Sequence, residues 1–391
     1  MIKLIKSTFF NEEKAKALLC VFIKDASVLS MATECKKFEE GFAKKQGRKY
    51  AVFVNSGSSA NLILVQALLN LSKLKKGDLI GVSAVTWPTN IMPLIQLGLV
   101  PILIDCEVDT LNVSPRTLAS AFAETPNIKG LFLTNVLGFS DDIESIASMC
   151  AERGALLFED NCESLGSSVG GKLLGNFGIA STFSFFAGHH LSTIEGGMVC
   201  TDDMDLYHAL IPVRAHGWDR NLSSTEQILL REKYDISSFF AKYAFYDLAY
   251  NVRPTEINGF LGNLQLEYWD IIVDRRNVNF KFLHNAIVEN KDLIPLRFGH
   301  MDIISNFAVP MIAKTPELME KYRALFEKND VEVRPIITGN MASQPFFKKY
   351  ITKINHQPGA EFIHNHGFYF GNNPELTEDE LELLKNLILS T

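Results

Sequence analysis

Two adjacent histidines, His189 and His190, stand in the segment Ser-Thr-Phe-Ser-Phe-Phe-Ala-Gly-His-His-Leu-Ser-Thr-Ile-Glu-Gly-Gly-Met-Val-Cys at positions 181–200. An imidazole has an ordinary pKa near ~6.5, so it takes and returns protons at neutral pH without forming an imine. A hydrogen-bonded core residue is the plainer reading of a lone buried histidine. Three further segments offer chemistry. Asn55-Ser56-Gly57-Ser58-Ser59-Ala60-Asn61 follows an apolar run and opens an apolar helical stretch. Free N–H groups and the helix dipole around Gly57 and Ser58 then make a seat for phosphate, although such turns also serve as ordinary connections. Phe158-Glu159-Asp160-Asn161-Cys162-Glu163 sets carboxylates at the end of a buried run, where an uncompensated charge is costly. Asp160 there either caps the next turn or serves a site. Trp87, in Ser-Ala-Val-Thr-Trp-Pro-Thr-Asn, presents an indole that stacks on a flat ring or packs into a core or interface, and Pro88 suits the first turn of a helix.

Strands and crossovers must position these groups. From Tyr50 to about Asp202, short β-rich runs alternate with helical segments, as in a largely parallel sheet. Seven runs qualify: 50–54, 79–84, 100–106, 130–135, 155–159, 182–186 and 198–201. The last two lie too close together to need a full helix between them. The candidate groups fall just after such runs, where open α/β sheets bind ligands. Ahead of the sheet, Cys35, Phe38 and Phe42 repeat with helical spacing. Beyond about Arg253 the texture changes. Residues 261–288 read as one long helix, and strand and helix signals follow at 303–309, 331–335 and 378–389. The expected organisation is therefore a large α/β domain over 1–252 and a smaller α+β domain over 253–391.

Size and composition narrow the function. A chain of 391 residues, 47% hydrophobic and 21% charged, suits a globular protein with one large and one smaller unit. With 38 basic against 45 acidic residues the net charge is -7, and no basic run suggests a nucleic-acid groove. Neither a signal-peptide core nor a membrane-length apolar stretch is expected. The six cysteines are scattered without a CxxC pair or zinc spacing, which suits reduced thiols in a cytoplasmic protein and leaves no seed for an iron-sulfur cluster.

Taken together and in order, these segments resemble the DegT/DnrJ/EryC1/StrS family, which reads Ser-Phe-x-x-x-Lys-x-Leu where this chain has Ser184 to Leu191. The resemblance runs from the helix at 38–43 to Arg334-Pro335 and Gln344-Pro345-Phe346. It implies an aspartate aminotransferase fold, type I among pyridoxal-phosphate enzymes, with a seven-stranded mostly parallel sheet. It also implies that Gly57, Ser58 and Ser184 bind the cofactor phosphate, Asp160 the pyridinium nitrogen and Trp87 the ring face. Glu163 joins the cofactor set, and Asn251 reaches the phosphate in the other subunit of a homodimer. Counting five residues from Ser184 places His189, not His190, at the lysine position, and no lysine lies between Lys172 and Lys233.

Without that lysine, the resemblance implies pyridoxal 5'-phosphate or pyridoxamine 5'-phosphate held non-covalently. A branch of the family carries histidine here, the nucleotide-sugar 3-dehydratases. The expected reaction removes the C3 hydroxyl of a nucleotide-linked 4-keto-6-deoxyhexose, GDP-4-keto-6-deoxy-D-mannose foremost. His189 serves as acid and base, and glutamate restores the amine form of the cofactor. His216, in Arg-Ala-His-Gly-Trp-Asp-Arg, is a second catalytic candidate, and Arg253, Arg334, Thr338 and Asn340 are substrate-contact candidates. Two alternatives stand beside this: an atypical nucleotide-sugar aminotransferase, and a non-catalytic cofactor-binding regulator.

Overall fold

The computed structural model describes residues 1–352 and 354–390. Its strands are β1 (Tyr50–Val54), β2 (Leu79–Ser83), β3 (Val100–Ile104), β4 (Ile128–Thr134), β5 (Leu156–Asp160), β6 (Ser168–Val169), β7 (Lys172–Leu173), β8 (Ala180–Ser184), β9 (Gly197–Thr201), β10 (Ala308–Ile312), β11 (Val333–Pro335) and β12 (Gly367–Gly371). Seven of them form one sheet in the order β1-β9-β8-β5-β4-β2-β3. All seven expected runs are in it. The pairs β8–β5, β5–β4, β4–β2 and β2–β3 are parallel, whereas β9 runs antiparallel to both β8 and β1. That single reversal follows from the short connection between β8 and β9, which has no room for a crossover helix.

Most residues of these strands are buried, as expected where helices cover both faces. One large core joins the central strands to the Gly57–Asn70 helix, whose Ile63, Leu64, Val65 and Leu68 are inaccessible. A second core is aromatic. Phe38 meets Phe53 and Phe185 edge-on, and Trp269 meets Phe42, so the Thr33–Gln46 helix is clamped under β1, β8 and β9.

The helix expected over 261–288 is instead two helices, Glu256–Leu266 and Trp269–Glu289. Apolar spacing continues through the break, but Trp269 must enter the aromatic core while Gln265 bonds the backbone of Phe10 from both ends of its amide. Contacts cross position 253 in both directions. The Glu256 carboxylate accepts the N–H groups of Ala32, Glu34 and Cys35. Ile2 pairs with Val331 beside the antiparallel sheet β10-β12-β11.

Candidate active site

The ends of β1, β5 and β8 meet at one cavity of about 350 Å³. Ser56 caps the Gly57–Asn70 helix by accepting the Ser59 N–H at 3.0 Å. The N–H groups of Gly57 and Ser58, in the first turn, have no intrahelical acceptor and face a site of favourable dipole for an anion. Glycine is required at this turn by close approach. A Cβ on Gly57 would lie 2.6 Å from the Ser184 Cβ, and one on Gly197 would lie 2.2 Å from the Ser56 carbonyl oxygen. Ser184 stands opposite Gly197 in the β8–β9 register, and its hydroxyl lines the same hollow.

Asp160 ends β5 and is buried without an ion-pair partner among the described residues. One carboxylate oxygen accepts the side-chain amides of Asn61 at 3.1 Å and Asn90 at 2.8 Å, and the other accepts the Cys162 N–H at 2.9 Å. Such a rigid, hydrogen-bonded carboxylate is suited to a cationic ring nitrogen. Trp87 opens the turn at Pro88–Asn90 and is 52% exposed, so its indole face remains available on the cavity wall. Phosphate seat, carboxylate and ring face therefore suit a phosphorylated pyridine cofactor.

His189 reaches this cavity at the tight turn after β8, where its N–H donates to the Phe186 carbonyl at 2.9 Å. Its ring stands edge-on to Phe186 and tilted against Phe307, with centroids 5.9 and 5.5 Å away, and Nδ1 has no hydrogen-bond partner. Burial pushes the imidazole down to about 4. Asp160 and a Ser184 backbone group act in the opposite sense, and the Arg276 charge adds to the fall. His190 lies outside the cavity, and its Nε2 sits 2.9 Å from the Ser305 carbonyl oxygen. The adjacent rings thus have different employment, one free at a cavity and one tied into the core.

Glu163 also lines the cavity and accepts the Leu137 N–H at 2.9 Å. Burial, reinforced by Asp160, raises it to about 8 against the effect of that bond. The sequence reading passed over Asn61 and Asn90, although both lay inside the motifs that drew attention. It also missed the apolar wall of Leu4, Ile5, Phe186, Phe307 and Ile337, which comes from four distant stretches and carries no local signal.

The other candidates lie apart from this cavity. His216 is exposed, with its ring 4.6 Å from that of Trp218. Asn251 accepts a hydrogen bond from Arg253 at 2.9 Å, and Arg253 and Arg220 lie over the Trp218 ring at 5.2 and 4.0 Å. Arg334 pairs with Glu332 and sits opposite the cavity residue Tyr369 in the β11–β12 register. Thr338 donates to the Thr86 carbonyl oxygen, and Asn340 accepts the Ala342 N–H, so both side chains are engaged inside the protein. The cysteines are all free, Cys162 bordering the cavity, and no group of three or more His, Cys, Asp or Glu poised for a metal occurs among the described residues.

Comparison with known proteins completes the description. Residues 11–387 match the DegT/DnrJ/EryC1/StrS aminotransferase family. The GDP-4-keto-6-deoxy-D-mannose 3-dehydratase of Escherichia coli O55:H7 (strain CB9615 / EPEC) is 34% identical over 391 residues, covering 98% of each chain. Among solved structures, the E. coli GDP-4-keto-6-deoxy-D-mannose-3-dehydratase with bound hydrated PLP gives a TM-score of 0.90 at 32% identity, covering 99% of both chains. The GDP-4-keto-6-deoxymannose-3-dehydratase with a trapped PLP-glutamate geminal diamine also gives 0.90 at 32% identity, covering 99% of this chain and all of that one.

Proposed function

The chain belongs to the DegT/DnrJ/EryC1/StrS aminotransferase family, and we propose that it removes the C3 hydroxyl of a nucleotide-linked 4-keto-6-deoxyhexose, GDP-4-keto-6-deoxy-D-mannose foremost. The observation that carries this reading is the cavity wall itself: it presents His189 and, among the described residues, no lysine. Pyridoxamine 5'-phosphate is then held by non-covalent contacts alone. The 34% identical dehydratase supports the choice of sugar, and the structure with a PLP-glutamate adduct supports glutamate as amino donor.

The N–H groups of Gly57 and Ser58 and the Ser184 hydroxyl would hold the phosphate, Asp160 the ring nitrogen and Trp87 the ring face, with Glu163 also on the cavity wall. When bound, the cofactor supplies the conjugated electron sink that allows the C3 hydroxyl to leave. His189 rests as the free base, so it can accept a proton at the cofactor's C4' carbon. Once protonated in so apolar a setting it is a strong acid, and it returns the proton to the departing oxygen. Phe186, Phe307, Leu4 and Ile5 keep bulk water from that exchange. Over a full cycle the sugar loses one oxygen while glutamate becomes 2-oxoglutarate and ammonia, which balances without metal or nicotinamide.

A homodimer completes this reading. Phe239, Tyr243 and Leu248 are 80%, 76% and 71% exposed, too apolar a surface to leave in water. They flank the cluster of His216, Trp218, Arg220 and Arg253, whose arginines have no acidic partner among the described residues. A second copy seated on this face receives Asn251 and Arg253 at its own cavity, where they meet the anionic cofactor and nucleotide. Arg334, opposite the cavity residue Tyr369 in the β11–β12 register, is the remaining substrate contact of the small domain; Thr338 and Asn340 act indirectly, through their bonds to the Thr86 and Ala342 backbone. No described helix is long and apolar enough to cross a membrane, and free cysteines suit a cytoplasmic setting.

Incubation with pyridoxamine phosphate, glutamate and GDP-4-keto-6-deoxy-D-mannose tests the assignment. The expected product, by mass spectrometry, is a GDP-linked 4-keto sugar lacking one oxygen, with ammonia released. A 4-amino product that keeps the C3 oxygen identifies an aminotransferase and sinks the dehydratase reading; cofactor binding with no reaction of glutamate leaves a regulator.

A further inference from the structure

A buried guanidinium, that of Arg276, lies against the His189 turn. Arg276, in the middle of the Trp269–Glu289 helix, is 4% exposed. Its donors reach three backbone carbonyl oxygens: His189 at 3.3 Å, Asn306 at 3.4 Å and Asn372 at 2.5 Å. Its Nε is buried with no acceptor, and no carboxylate pairs with it among the described residues. The surrounding frame is firm. Asn372 returns a hydrogen bond to the Arg276 carbonyl oxygen at 2.9 Å and another to the Asn306 side chain at 2.7 Å. Burying a cation among neutral carbonyls is costly, and a neutral residue of similar volume would fill the space more cheaply. A planar fork of donors suits several carbonyls at once, which lysine does not match.

We infer that Arg276 is a positioning residue for the proposed dehydration: it grips the His189 turn by its carbonyl, and its unpaired charge lies against that turn. This rests on His189 serving as the acid and base. Burial alone already disfavours the imidazolium, and the guanidinium lowers both His189 and His190 further. The opposing group is Asp160 at the end of β5. His190 shares the turn, Glu163 and Glu195 lie on the cavity wall, and Glu375 borders the small hollow between the amino-terminal segment and Arg276. Ser7 donates to Glu375 at 2.8 Å, and Arg276 is the charged group that hydrogen-bonds the turn directly. A base so placed is weak, and its conjugate acid correspondingly strong. The weak base slows removal of the carbon proton, while its strong conjugate acid favours protonation of the poor leaving oxygen.

The full chain carrying Arg276→Met, which removes charge and fork, is to be compared with Arg276→Lys, which keeps charge and loses the fork. Histidine-labelled protein without cofactor is titrated by NMR, with His189→Asn assigning the resonance. The His189 midpoint is expected to rise by about one pH unit in Arg276→Met and to stay near wild type in Arg276→Lys. In the loaded enzyme, the acid limb of the turnover profile moves with it in the Met variant, whereas the Lys variant loses about tenfold in kcat with its pH profile unmoved. An unshifted His189 midpoint in Arg276→Met, or an equal shift in both variants, overturns the inference. If melting shows that Arg276→Met does not fold, Arg276→Gln replaces it under the same criteria. Because the NMR midpoint needs no sugar, it stands or falls separately from the choice of substrate.

Discussion

The turn after β8 and the stretch from His216 to Arg253 both follow the sheet, yet they are finished to different degrees. Around His189 the rings of Phe186 and Phe307 pack on the imidazole, the Asp160 charge acts on it, and Arg276 holds the turn by its carbonyl. Around Trp218 the aromatic and cationic groups are equally concentrated but face outward, and the Ser224–Lys233 helix beside them buries none of its residues. The contrast separates two tasks. Proton transfer demands a dry, fixed group, which the His189 turn supplies, whereas the exposed stretch around Trp218 is the face on which the proposed second copy would sit.

Replacing His189 by Asn should break the first region most severely. Dehydration is expected to fall by about 10³-fold, with pyridoxamine phosphate binding, read by fluorescence, little changed. An equal collapse of binding would mean that His189 holds the cofactor instead of moving protons. Arg253→Ala addresses the second region and should lower kcat/KM by about 10- to 100-fold. Its sharper form is a mixture: combining inactive His189→Asn chains with weakened Arg253→Ala chains should restore about a quarter of wild-type kcat/KM through hybrid dimers with one intact site. No recovery on mixing assigns Arg253 to its own chain's cavity.

Phe239→Ser should weaken the dimer about tenfold by sedimentation; a wild-type chain that sediments as a monomer at all concentrations removes the second region from the site. The smallest effect concerns Glu163. The folded protein keeps its proton up to about 8, against 4.5 for an ordinary glutamate. Its contribution to stability is therefore full below 4.5, is lost as pH rises through 8, and is absent in Glu163→Gln. The melting temperature of Glu163→Gln relative to wild type should climb by on the order of 2 °C between pH 5 and 9. A pH-independent difference contradicts the burial argument.

Much of the architecture was legible because buried parallel strands are short, apolar and bounded by turns. Tyr50–Val54 and its six companions declare themselves that way. Strand direction did not, since side-chain alternation is the same in either sense, and only the brevity of the β8–β9 link hinted at the reversal of β9. The run at 261–288 misled for a related reason: apolar spacing persists across Glu267 and Tyr268, and the change of axis comes from docking Trp269 against Phe42. Thr338 and Asn340, substrate-contact candidates by sequence, also serve the fold, since Thr338 donates to the Thr86 carbonyl oxygen and Asn340 accepts the Ala342 N–H.

The linear chain by itself determined which chemical groups are available. Histidine instead of lysine at position 189 excludes a covalent anchor there, and the small-residue turn at Gly57 and the carboxylate at Asp160 follow directly from residue type and place. Packing decided how those groups behave. Asn61 and Asn90 hold Asp160 from segments 99 and 70 residues away, and Arg276 reaches the His189 turn across 87. Protonation depends on burial and on the charges that surround a group, and both arise only when distant segments close on one another. For that reason two neighbouring histidines, indistinguishable as letters, became a free base in a cavity and a bolt in the core.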